Sequence, residues 1–76
     1  MDQKTRFDAR GVTEAAKDRL RKTSYQALST LSCEYDRGVL VLRGQLPSFY
    51  QKQLAQEVVA HVAGVAQVVN QTEVAV

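Results

Sequence analysis

The 76-residue sequence predicts one α+β domain of order αββαβ, a three-stranded mixed sheet with two helices packed on one face. Three observations lead there. Apolar residues recur at helical spacing from Val12 to Thr23 and again between Ser48 and Gly64. Between and after these stretches, Leu31 to Tyr35, Val39 to Leu46 and Val65 to Val76 carry the alternation and valine content of strands. Asp36-Arg37-Gly38, Pro47-Ser48 and Gly64 separate the segments with turn chemistry.

Residues 1–11 have no hydrophobic period and end in Arg10-Gly11, so they read as a mobile leader or linker before a domain over 12–76. In the first helix Val12, Ala15, Ala16, Leu20 and Thr23 share one side, and Glu14, Lys17, Asp18 and Arg21 the other. Thr13 is the expected N-cap, and Arg19, Arg21 and Lys22 lie where cations offset the negative end of the helix dipole. Leu31, Cys33 and Tyr35 then alternate with Ser32 and Glu34. In the second strand Leu40, Leu42 and Leu46 take one face, and Val39, Val41 and Arg43 the other.

Ser48-Phe49-Tyr50-Gln51 matches a capping box, which opens the second helix. Its apolar stripe is Leu54, Ala55, Val58, Val59 and Val62, and Gly64 is expected to end it in the left-handed conformation. The last strand places Val68, Asn70, Thr72 and Val74 on one face. The predicted core is Leu20, Leu31, Leu40, Leu42, Leu54, Val58, Val62, Val68 and Val74. A tight turn makes the first two strands antiparallel, and a helical crossover allows the second and third to be parallel.

Gly38-Val39-Leu40-Val41-Leu42-Arg43-Gly44, Leu46-Pro47-Ser48, Gln51-Lys52, Leu54-Ala55, Gly64-Val65, Val68 and Asn70 together resemble the pattern of the BON domain, named for bacterial OsmY and nodulation proteins. The family pattern is a glycine-led strand ending in glycine, a short turn, a helix containing glutamine and alanine, and a closing Gly-Val-x-x-Val-x-Asn. Thr72 stands where the family usually has an aliphatic residue. The resemblance implies the same αββαβ fold and a non-catalytic module of exported or envelope proteins, one that binds phospholipid surfaces or holds assemblies together. It supplies no residue signature for a ligand.

Composition narrows the classes further. A 45% apolar, 24% charged chain of net charge +2 is that of a folded globular domain. Its longest apolar runs are far shorter than a membrane span. The N-terminus lacks the apolar stretch of a secretory signal, so the sequence as written reads as cytoplasmic. Excision from a longer exported protein would make it periplasmic or envelope-bound. Residues 1–22 carry seven basic and four acidic side chains, against three and four in the remainder, so the first helix and its leader are the basic end.

No catalytic group is expected. The single His61 lies at the margin of the second helix's stripe and Cys33 on the apolar face of its strand, and no orienting partner is expected for either. No metal site, cofactor or phosphate loop is expected, and no nucleic-acid partner. The candidate surface-binding residues are Lys17, Arg21, Lys22, Phe49 and Tyr50. The basic side chains suit an anionic phospholipid surface. Phe49 and Tyr50 lie off the apolar stripe, either to enter a lipid interface or a partner's pocket or to fold back over Leu46. A second candidate, for a protein partner, is the uncovered sheet face with Val39, Val41 and Val69. The expected function is weak association with phospholipid or envelope surfaces within a larger or multi-copy protein. The alternative is an assembly or spacer module acting through the open sheet face, in a dimer or a tandem array.

Overall fold

The computed structural model describes residues 8–75. Helix α1 spans Ala9–Arg21, a short 3₁₀ helix spans Gln26–Thr30, and strands β1 (Ser32–Asp36) and β2 (Val39–Leu46) follow. Helix α2 covers Phe49–Ala60 and strand β3 covers Gln67–Val74. The sheet order is β1-β2-β3, with β1 antiparallel and β2–β3 parallel, so the expected α+β architecture with a mixed sheet is present.

The hairpin between β1 and β2 is closed by Arg37 and Gly38, at φ 45° and 91°. Two consecutive positive φ values match the right-handed twist of the strands they join, and glycine at the second position adopts one without steric cost. Gly44, at φ 141°, faces the core side of β2, and a Cβ there would sit 2.7 Å from Leu31 Cδ2. Absence of a side chain at this point lets Leu31 close over the strand.

One hydrophobic cluster joins both helices to the same sheet face. Val12, Ala16 and Leu20 come from α1, Ala55 and Val59 from α2, Val62 from the turn after it, and Leu40, Leu42 and Leu46 from β2, with Leu28 and Leu31 filling between. Burying a leucine of this kind contributes about 1.5–3 kcal/mol. Leu20, Leu31, Leu40, Leu42 and Val62 match the predicted core. Leu54, Val58 and Val68 are only half-buried against it, because α2 turns Ala55 and Val59 to the centre and places Leu54 and Val58 at the flanks. Val74 is also half-buried.

Three local expectations are corrected. Helix α1 starts at Ala9, so Thr13 is not its N-cap: its hydroxyl lies inside the helix and donates to the Arg10 carbonyl (3.1 Å). The N-cap position belongs to Asp8, which makes no side-chain capping bond. Second, α2 ends at Ala60 and not at Gly64. Turn bonds from Val62 N–H to Val59 and from Val65 N–H to Val62 fill the interval, and Gly64 does hold a positive φ of 95°. Third, only half of the capping box forms. The Ser48 hydroxyl accepts from the Gln51 N–H (3.2 Å), but Gln51 Oε1 is buried without a partner. Residues 1–7 of the expected leader, and Val76, lie outside the described residues.

Candidate functional surfaces

The first surface is a corner built where α1 ends and α2 begins. Ser48 caps α2 and thereby fixes Phe49 and Tyr50 in its first turn. They are the large exposed apolar side chains among the described residues, at 73% and 63% exposure. Phe49 does not fold back over the core, and Tyr50 stacks edge-on against Tyr25 with ring centroids 5.8 Å apart. Tyr25 follows the C-terminus of α1 by four residues, so the pair draws the Tyr50 turn to the end of α1 that carries Arg21 and Lys22. Edge-to-face geometry of this kind adds about 0.5–1.5 kcal/mol beyond burial.

Arg21 and Lys22 both lean on Asp18, at 3.4 and 2.9 Å. The hydrogen bond from Lys22, with the two nearby positive charges, holds the Asp18 carboxyl below its ordinary range. The pairing tempers the positive field of this end without cancelling it. Lys17 is exposed one turn earlier and acts electrostatically on Cys33 of β1, so it lies on the side of α1 that approaches that strand. The structure thus brings Arg21, Lys22, Phe49 and Tyr50 toward one end of the two helices, with Lys17 one turn back along α1.

The second surface is the open face of the sheet. Strand register sets Val41 beside Glu34 on one side and Val69 on the other, with Val39 between Asp36 and Gln67. All three valines are half-buried. Arg43 spans the three strands, donating to Glu34 (3.0 Å) and Gln71 (3.0 Å). Glu34, Tyr35, Asp36, Val39 and Val41 line a shallow depression of about 580 Å³.

A third feature escaped the sequence reading. Along β3, a groove of about 300 Å³ runs beside α2, lined by Phe49, Lys52, Gln53, Gln56, Glu57 and Asn70. Its wall is a polar latch. Asn70 Oδ1 accepts from both the hydroxyl (2.6 Å) and the N–H (3.2 Å) of Thr72, while its amide nitrogen donates to the Lys52 carbonyl (2.9 Å) and Gln56 Oε1 (3.3 Å). Lys52 Nζ donates in turn to the Thr72 carbonyl (2.6 Å). These bonds are why Thr72 tolerates 2% exposure. The signal was present in the alternation of β3: two polar residues, Asn70 and Thr72, fall on its inward face, where polarity demands partners. Tyr25 lies between the predicted first helix and first strand, where no hydrophobic period marks it.

The two residues with catalytic precedent sit apart. His61 is exposed in the turn after α2, and Cys33 is half-buried in β1, where desolvation pushes its thiol pKa up against a smaller opposing influence of Lys17. A raised pKa disfavours the reactive thiolate. Among the described residues, no three His, Cys, Asp or Glu side chains gather as a metal site, and no helix is long and apolar enough to cross a membrane.

Fold and surfaces together define a small α+β module whose recognisable features are open faces, edges and corners. The family model of the BON domain matches residues 8–76, and the chain belongs to the BON domain family. BON domains are binding-type modules. No curated protein matches the chain.

Proposed function

We propose that this domain is a non-catalytic module that associates weakly with anionic phospholipid at an envelope surface, within a larger or multi-copy protein, and that the Phe49/Tyr50 corner is the part that enters the interface. The observation that carries this reading is the exposure of both rings in one helical turn. A tyrosine favours the headgroup level of a bilayer, where its apolar ring and polar hydroxyl are both accommodated, and an exposed phenylalanine buries its apolar ring at the acyl boundary just below. Family membership supports the lipid class. Arg21 and Lys22 add electrostatic attraction, each basic group near a charged bilayer contributing on the order of 1 kcal/mol. Their shared partner Asp18 reduces the total, so one copy binds weakly and linked copies gain through effective concentration.

Co-sedimentation with phosphatidylglycerol-containing vesicles at low salt tests the reading, comparing the single chain with a two-copy fusion. The fusion is expected to pellet more strongly than the single chain, and added salt to release both as it screens the charges. If neither pellets at low salt, the membrane reading is wrong.

A second reading is supported by the outward row of Val39, Val41 and Val69, which gives the open sheet face an apolar centre inside a charged rim. Such a surface suits a protein partner in an assembly or spacer role. A partner bound there would leave Phe49 and Tyr50 free.

A further inference from the structure

In a parallel pair, alternate residues of a strand give both backbone groups to the neighbour, and those between turn theirs the other way. The Gln67 N–H donates to Gly38 (3.0 Å) and the Ala75 N–H to Leu46 (2.8 Å). Odd-numbered residues of β3 therefore bond to β2, and Val68, Asn70, Thr72 and Val74 present their backbone groups at the free edge. An edge of this length is a template for pairing unless something blunts it. The opposite edge is short: β1 has five residues, with Glu34 and Asp36 among them. β3 has eight, with Glu73 as its one charge and no proline.

The latch falls at the middle of this edge. The outward N–H of Thr72 is taken by Asn70 Oδ1 and its outward carbonyl by Lys52 Nζ. Both bonds replace what an added strand would supply. Antiparallel pairing of two β3 strands about a two-fold axis at Asn70 would set Val68 opposite Thr72, Val69 opposite Gln71 and Gln67 opposite Glu73. Opposed residues then share a sheet face and no like charges meet. We propose that the free edge of β3 is a strand-addition surface for the β3 edge of a second copy of this chain, and that Lys52 and Asn70 hold it closed at Thr72. In a protein carrying several copies, where local concentration is high, such a closure keeps neighbouring sheets from fusing.

Amide hydrogen exchange and sedimentation velocity test the proposal on the full chain, independently of lipid. In the wild type the Thr72 amide is expected to exchange more slowly than those of Val68 and Asn70, although none of the three bonds to β2; equal exchange at all three would overturn the assignment. Lys52→Met keeps the aliphatic stem and frees the Thr72 carbonyl of each copy, and is expected to strengthen self-association by about tenfold or more, the equivalent of two symmetry-related edge bonds. Lys52→Met/Asn70→Ala is expected to dimerise more strongly, with protection appearing at Val68 as concentration rises. A Lys52→Met variant with native circular dichroism that remains as monomeric as the wild type would refute the closure, whether or not the double variant folds.

Discussion

The two faces of β2 place opposite demands on one strand. Leu40, Leu42 and Leu46 point to the helices and are fully buried, whereas Val39 and Val41 on the other face are half-buried and Arg43 is exposed. Because the side-chain period of a strand is two, one eight-residue segment supplies both the centre of the core and the centre of an open surface. Core packing and the make-up of the open surface can therefore change independently along β2, residue by residue.

The sharpest way to break this comparison is a pair of truncations on adjacent residues. Leu42→Ala removes a fully buried side chain and is expected to cost about 2–5 kcal/mol. Val41→Ala, on the open face, is expected to cost no more than about 1 kcal/mol, the span of strand propensity. Equal losses in urea denaturation would mean that the open face is packed as tightly as the covered one.

A smaller effect separates the two helix starts. Ser48 makes its capping bond to Gln51 N–H, whereas Asp8 makes none, so Ser48→Ala is expected to lower stability by about 1 kcal/mol and Asp8→Ala by much less. Similar thermal midpoints for the two variants would show that the Ser48 bond contributes little.

Cys33 sharpens the comparison between the strands. It faces the helices from β1 and pairs in register with Leu42. Burial raises its thiol pKa, so alkylation at neutral pH is expected to run slower in the native protein than in the urea-unfolded chain. The sign extends to stability. The unfolded thiol loses its proton first, so this group's contribution falls as pH rises past the ordinary thiol value of about 8.5. Equal alkylation rates would place Cys33 in a more open setting.

Element order, strand faces and the Asp36-Arg37-Gly38 hairpin were legible because each depends on short-range pattern. The period of two sorted β2 and β3 correctly, and Gly38 marked a turn whose positive φ it alone adopts easily. What escaped depended on tertiary placement. The sequence of α2 carries four residues of the predicted stripe, Leu54, Ala55, Val58 and Val59, and only packing against β2 and β3 decides that Ala55 and Val59 sit at its centre while Leu54 and Val58 flank it. Leu28 fell between recognised elements because a single 3₁₀ turn has too few residues to show a period. Phe49 and Tyr50 were seen to lie off the stripe, but Tyr25, the ring that steadies Tyr50, lies 25 residues away in sequence. The latch at Thr72 joins residues separated by 18 and 20 positions, beyond the reach of any local motif.

The account assigns lipid contact to the corner and not to the open sheet face, and a residue-resolved titration tests that assignment. Backbone amide shifts followed by NMR during addition of phosphatidylglycerol-containing bicelles at low salt are expected to move around Arg21, Lys22, Tyr25, Phe49 and Tyr50, leaving Val39, Val41 and Val69 still. Substituting Phe49→Ala and Tyr50→Ala together is expected to abolish those shifts while the fold is retained, since both rings are largely exposed. Shifts centred on Val39, Val41 and Val69, or shifts that persist unchanged without the two rings, would contradict the account.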